Sequence, residues 1–317
     1  MIDRRLFLTM AGALALGSSL PGSAQQSAPQ SAQSPKPKTR LILLGTAGGP
    51  RPKKNHNAPA QVIVAGDALY VVDAGNGVAR QIVLAGLSLP KLRHLFITHH
   101  HSDHNADYGN LLLLAWGSGL KTPVDTWGPP PLARMTRLFL EMNAYDIDVR
   151  IRDEGRVPLA PLIRPHERKE AGLVMEDEDV KVTCALVPHP MVEPAFAYRF
   201  DAADRSIVIS GDTARSEALI KLAKGADVLV HEALFLPAVD RLVARIPNAA
   251  TLKRHLLESH TTAEDCGRVA AAAGVGTLVL SHLVPPDDPE VTEEMWIEAA
   301  GRHFKGRIVL GRDLLEV

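Results

Sequence analysis

The chain has 317 residues, 46% of them hydrophobic, and its 35 basic and 36 acidic side chains leave a formal net charge of −1. That length and apolar share bury a substantial core, in one large domain or two small ones. A near-zero charge balance supplies no global field for a polyanion, so charge alone carries no strong nucleic-acid signal and leaves only a local basic patch as a route to RNA or DNA.

In chain order, the first segment stands apart. Arg4 and Arg5 precede the apolar run "LFLTMAGALALG", and "PGSA" ends in small residues, the layout of a signal peptide over residues 1–24. Asp3-Arg4-Arg5-Leu6-Phe7-Leu8 is similar to the twin-arginine export motif, which implies a periplasmic or secreted protein exported already folded. The apolar run is too short to span a bilayer comfortably, and no later stretch is long and apolar enough for a transmembrane helix, so no membrane span is expected once the signal is removed. Residues 25–39 are rich in Gln, Ser and Pro without apolar periodicity and read as a disordered linker, and the folded domain fills 40–317. Its two cysteines, Cys184 and Cys266, read as buried free thiols, although an exported chain could also join them.

From Arg40 onward, short β-rich runs alternate with helix-length segments. "RLILLG", "QVIVAG" and "ALYVVDAG" read as three strands, the last two joined by a tight turn at Gly66-Asp67. Helical spacing over 77–86 leads to a buried strand "LRHLFIT", then to helices over 107–117 and 130–145 with the strand "VDTWG" between them. Residues 146–178 read as irregular and charged. The second half gives strands "VKVTCALVPHP", "AFAYRFD", "SIVISGD", "DVLVHEA", "GTLVLSH" and "RIVLG". Helices fall over 215–224, over 237–258 with an interruption at Pro247-Asn248, over 262–273 with Thr261 or Thr262 as N-cap, and over 291–303. Strands in both halves separated by helices favour an α/β fold of two packed sheets with helices outside.

The strand "LRHLFI" runs into "THHHSDH", four histidines in six positions with no packing rationale. In an extended segment His99, His101 and Asp103 share one side while His100 faces the other, and His104 begins the next turn. His189, Asp212 and His282 each follow another strand, and strand ends gather loops at one edge of such sheets. Five imidazoles and two carboxylates suit a pair of borderline divalent ions: two Zn2+, with Mn2+ or Fe2+ as other candidates.

"THHHSDH", "PHP", "SGD" and "LSH", in that order, resemble the metal-binding motifs of the metallo-β-lactamase superfamily, together with "LLGTAGGPRP" and "VVDAGNG" ahead of them. The resemblance implies an αββα sandwich, two mixed β-sheets flanked by helices, with a dinuclear site at the sheet edges. Carried over, it assigns His99, His101 and His189 to one ion, Asp103, His104 and His282 to the other, and Asp212 as a bridge. "VHEALF" and "ESHTTAEDCG" are similar to motifs of the ribonuclease Z branch, shared with related phosphodiesterases and arylsulfatases. There the counterparts of Glu232 and His260 move a proton to the leaving oxygen, and a carboxylate beside an imidazole does favour the charged, proton-donating form.

The implied reaction is hydrolysis of a phosphodiester or aryl sulfate, with metal-activated hydroxide attacking, Asp103 beside it and His260 with Glu232 protonating the leaving group. The sequence departs from the ribonuclease Z pattern at "HEAL", "HTT" and "SHLVP", and shows no Gly- and Pro-rich basic arm for gripping tRNA. With the export signal, these departures turn the expectation toward a small anionic ester substrate. A lactonase or β-lactamase-type acyl hydrolase is the alternative on the same metals, though it does not need the Glu232–His260 pair. A homo-oligomer is compatible with all of these readings.

Overall fold

The computed structural model describes residues 39–246 and 249–317, so the signal segment, most of the linker and the Pro247-Asn248 interruption lie outside the described residues. Thr39, at the linker's end, is already held by the fold: its N–H and hydroxyl donate to Asp204 at 3.0 and 2.6 Å.

Among the described residues thirteen strands form two sheets. The first has six, β1 (Arg40–Gly45), β2 (Ala60–Ala65), β3 (Ala68–Val72), β4 (Leu92–Phe96), β5 (Val124–Gly128) and β6 (Ile163–Glu167), lying side by side in chain order. The first three pair antiparallel and the rest parallel. The second has seven, β7 (Gly172–Glu176), β8 (Val180–Val187), β9 (Ala195–Ala202), β10 (Ser206–Ile209), β11 (Val228–Leu234), β12 (Thr277–Val284) and β13 (Arg307–Leu310), also in chain order and again antiparallel first and parallel later.

Period-two alternation sorts the side chains between layers. In β1, Leu41 and Leu43 enter the core between the sheets, where they join Phe96, Phe196, Tyr198 and Phe200. Ile42 and Leu44 enter the other face, under α1 (Val78–Leu84) and α3 (Tyr108–Gly117), with Ile82, Leu111 and Trp116. Phe96 anchors the central layer, tilted against Tyr198 at 5.4 Å and edge-on to Phe200 at 5.2 Å. The outer face of the second sheet is covered by α6 (Glu217–Leu222), α9 (Ala263–Ala273) and α10 (Glu293–Gly301), and Cys266 packs there while Cys184 lies in the central layer. Both thiols are buried and free. The architecture is the expected α/β sandwich, two mixed sheets with helices on both outer faces.

The remaining helices are α2 (Ser102–Asn105), α4 (Leu132–Met142), α5 (Ala144–Glu154), α7 (Val239–Ala244) and α8 (Leu252–Ser259). Residues 146–178, which read as irregular, contain most of α5 and the strands β6 and β7. Their signal is weak for physical reasons. Helix α5 buries none of its residues and is laced by Arg150–Asp146, Arg150–Glu154 and Arg152–Asp148 pairs on its surface. Strands β6 and β7 are sheet edges, and β6 carries Pro165, which an edge tolerates. Among the described residues no helix is long and apolar enough to cross a membrane.

Topology gathers the site. β8 and β10 both run antiparallel to β9, and β10, β11 and β12 run parallel, so the C-terminal ends of these four strands share one edge. The segment leaving β4 meets that edge: Thr98 O accepts from Phe196 N at 3.0 Å.

Candidate active site

His99 and His101 leave β4 in extended backbone, and His101 is the N-cap of α2. The shared-parity argument holds for those two and fails for Asp103, which sits with His104 on the first turn of α2, where the helix rather than alternation aims it. His100 turns away as expected: its Nε2 donates to Pro129 O at 2.7 Å and its Nδ1 accepts from Asn105 Nδ2 at 3.0 Å.

His189, after β8, presents Nε2 at 3.2 Å from His101 Nδ1, which lies 3.1 Å from His99 Nε2. His282 occupies a bulge of β12: pairing passes from Ser281 to Leu283, and its φ of 43° turns the side chain off the strand's alternation. Gly48 makes room for it, since a Cβ there would stand 2.8 Å from the His282 ring. Asp212 lies between the groups, with Oδ1 at 3.3 Å from His104 Nε2 and Oδ2 at 3.2 Å from His282 Nε2 and 3.8 Å from His99 Nε2. Asp103 Oδ2 is 3.4 Å from His282 Nε2 and 3.7 Å from His104 Nε2.

These side chains form groups whose donor atoms lie within 4.8 Å of one another: His99, His101, His189 and Asp212 in one; Asp103, His104 and His282 in another. Asp212, His260 and His282 form a third. The donor set fits divalent cations. His104 Nε2 and Asp212 Oδ1 are buried and face each other at 3.3 Å without hydrogen-bond geometry, an arrangement costly without a ligand between them. Burial, with repulsion among the imidazoles, holds His99, His101 and His189 below the usual histidine range, His189 at about 4, as neutral ligands require. Burial also opposes a charge on His104, but Asp212, Asp73 and Asp103 outweigh it and hold its proton well above the usual range. A proton there carries positive charge that a cation can replace.

The outer partners set which nitrogen faces inward. His104 Nδ1 donates to Asp73 Oδ2 at 2.8 Å, and Thr98 Oγ1 donates to the same carboxylate while standing 3.0 Å from His99 Nδ1. His189 Nδ1 donates to Ser259 O at 3.2 Å. Each of these three rings thereby turns Nε2 to the centre. Sequence reasoning quoted Asp73 in "VVDAGNG" without giving it a task, and gave Ser259 none. Asp73 carried one signal, its place at the end of an apolar strand.

Glu232, near the end of β11, lies beside the groups. Its Oε1 accepts from Thr261 N at 2.9 Å and Thr213 N at 3.3 Å, tying the Asp212 loop to the segment after α8. Its Oε2 stands 3.3 Å from His260 Nδ1, and Asp212 Oδ2 is 4.0 Å from the same nitrogen. Burial opposes a charge on His260, but Glu232 and Asp212 outweigh it and raise the imidazole to about 9.

These residues open into a cavity of about 280 Å³. One wall is the loop Gly48–Lys53; the other is the α7–α8 pair, which contributes Leu242, Ile246, Leu252, His255 and Leu256. His255, which had no partner in sequence, has its Nδ1 3.2 Å from Ser259 Oγ.

Residues 69–283 match the family model described as "Beta-lactamase superfamily domain". A Ribonuclease Z of Mycobacterium bovis is 32% identical over 280 residues, which cover 87% of this chain and 97% of that protein. Among solved structures, human tRNase Z, short form, superposes with a TM-score of 0.64 at 19% identity, covering 88% of this chain and 98% of that one. Zn(2+)-bound PqqB from Methylobacterium extorquens gives 0.64 at 17% identity, covering 88% and 99%. The mycobacterial relative overturns the expectation of a small anionic ester substrate without a nucleic-acid signal, because it is named as a ribonuclease, and the human protein that shares the fold is named as a tRNase. Net charge misled because it averages the whole surface and is silent about a cleft built to hold cations. The acyl-hydrolase alternative finds no support in these names.

Proposed function

The chain belongs to the β-lactamase superfamily, among the ribonuclease Z proteins, as a metal-dependent hydrolase of ester bonds, and we propose that its substrate is RNA, cleaved at a phosphodiester in the cavity described above. The observation that supports this most directly is the pairing of Glu232 with His260 at 3.3 Å beside the metal-binding groups, since a phosphodiester has an alkoxide leaving group that needs a proton.

In this reading His99, His101 and His189 would hold one ion and Asp103, His104 and His282 a second, with Asp212 placed between the two groups. Divalent ions bound there, two zinc with manganese or iron(II) as substitutes, would supply positive charge that lowers the pKa of water and offsets charge on phosphoryl oxygens. Asp103 would hold the attacking water through a hydrogen bond and accept its proton as it adds to phosphorus. As water adds to phosphorus and the ester bond breaks, protonated His260 gives its proton to the departing oxygen, while Glu232 keeps the imidazole charged and in place until then. Burial of both carboxylates excludes solvent from that transfer.

The test is cleavage by zinc-loaded protein of a tRNA precursor with a 3′ extension and of an unstructured RNA, beside p-nitrophenyl sulfate and an acyl lactone. Endonucleolytic cleavage of RNA that stops with a chelator is expected. Turnover of the sulfate or lactone with intact RNA would sink the proposal.

Residues 1–24 are further proposed to act as a twin-arginine export signal ahead of a linker and the hydrolase domain, giving a periplasmic or secreted enzyme. Replacing Arg4 and Arg5 by Lys should trap the protein in the cytoplasmic fraction; unchanged fractionation would refute the export role.

A further inference from the structure

Helix α8 presents residues 252, 255, 256 and 259 toward the interior, the i, i+3, i+4 spacing of one helix face. Leu252 and Leu256 on that face line the cavity and pack with the α7 side chains, as an inward stripe should. His255 lies between them, half-buried, and also lines the cavity. An apolar residue would satisfy packing there, so the imidazole is unexplained by the core.

Its surroundings are specific. The ring centroid is 5.9 Å from those of His101 and His189 and 5.7 Å from that of His260. His255 therefore stands between the His101 and His189 rings and that of His260, which itself adjoins Glu232, Asp212 and His282. Ser259 fixes it, with Oγ 3.2 Å from His255 Nδ1, and the carbonyl of the same Ser259 receives His189 Nδ1–H. One buried serine thus positions a ring of the ligand group and the ring above it. In the tautomer where the Ser259 hydroxyl donates to Nδ1, the His255 hydrogen sits on Nε2, which meets no hydrogen-bond partner among the described residues.

We infer that His255 is a substrate-binding residue whose Nε2–H donates to a non-bridging oxygen of the phosphodiester, beside the His101 and His189 rings and next to His260, which serves the leaving oxygen. The inference rests on the phosphodiesterase reading for its substrate, and on the cavity geometry for its place. A neutral donor at this point orients the phosphoryl group for in-line attack and gains strength as charge builds on that oxygen.

The experiment uses the full zinc-loaded chain and the variants His255→Ala, His255→Gln and Ser259→Ala. Four quantities are read: kcat and KM for bis(p-nitrophenyl) phosphate, the affinity for inorganic phosphate by calorimetry, and zinc content. With zinc content unchanged, His255→Ala should lower kcat/KM about 10- to 100-fold and weaken phosphate roughly 10-fold, the loss of one hydrogen bond to a charged group. His255→Gln, which keeps an N–H, should recover most of both. Ser259→Ala should fall between them, because its carbonyl still holds His189. Unchanged phosphate affinity in His255→Ala, a loss that tracks zinc, or a Gln variant as weak as Ala would each overturn the inference. Phosphate binding is read without turnover: a protein that hydrolyses no phosphodiester defeats the proposed reaction, while the phosphate titration still decides His255.

Discussion

The two sheets are built alike yet supply the site in different ways. The first delivers His99, His101, Asp103 and His104 from one turn after β4. The second delivers His189, Asp212, Glu232 and His282 singly, from the ends of β8, β10, β11 and β12. A contiguous turn fixes its ligands by local backbone geometry. Dispersed strand ends depend on the whole sheet keeping register, and on a bulge that re-aims His282. The first half thus rests on local geometry, and the second joins these ligand groups to His260 through Glu232.

The largest effect should come where the halves meet. Asp212 reaches His104 and His99 from the first half and His282 from its own. Asp212→Ala should release at least one metal equivalent and lower activity on the order of a thousandfold or more. Activity within tenfold of the unaltered protein, at full metal content, would mean that the two halves do not share one site.

His260→Ala sharpens the comparison next, because His260 belongs to the second half alone and carries two geometrically open roles. As proton donor, its loss should slow RNA cleavage about 10²- to 10⁴-fold while sparing substrates with good leaving groups such as bis(p-nitrophenyl) phosphate, at unchanged metal content. Loss of metal, with both substrates slowed equally, would instead assign His260 to the ion held by Asp212 and His282.

Asp73→Asn should be milder and confined to the first half. Asp73 binds no ion in our reading but receives His104 Nδ1–H and the Thr98 hydroxyl beside His99. An amide would accept one bond and offer a donor where another acceptor is needed, so metal affinity should fall roughly 10- to 100-fold. A metal titration that matches the unaltered protein would show that His104 keeps its orientation without the carboxylate.

What the sequence made legible follows the same division. "THHHSDH" announced metal because ligands crowded into one turn need no fold to be seen together. His189, Asp212 and His282 were singled out because each ends a strand whose apolar pattern is plain, and Glu232 and His260 through the motif resemblance, and the fold brings all five together. Ser259 escaped because its contribution to His189 is a main-chain carbonyl, which every residue has. His255 escaped because its neighbours come from β4 and β8 through tertiary packing. The bulge at His282 was hidden in a strand that reads as regular, and β6 and β7 were hidden as edges with little apolar pattern to display. The substrate class was misjudged for a different reason: absence of an arm and of net positive charge are statements about the whole chain, whereas recognition is local.

The smallest effect separates the site from its scaffold at two adjacent threonines. Either Thr261 or Thr262 suits the N-cap of α9 by sequence, and in the structure they divide the work. Thr262 caps the helix, its Oγ1 accepting from Asp265 N at 3.1 Å. Thr261 turns inward, donating its hydroxyl to Thr213 O at 2.6 Å and its N–H to Glu232. Thr262→Ala should therefore cost about 1 kcal/mol of stability, a fall in Tm of a few degrees at most, with turnover of bis(p-nitrophenyl) phosphate unchanged. Thr261→Ala retains the N–H to Glu232 but strips the hydroxyl that joins the His260 segment to the Asp212 loop, so it should slow RNA cleavage more than it lowers Tm. If the Thr262 variant instead loses activity in step with the Thr261 variant, the start of α9 sets the position of His260, and the site draws on the helix layer as well as on the strand ends.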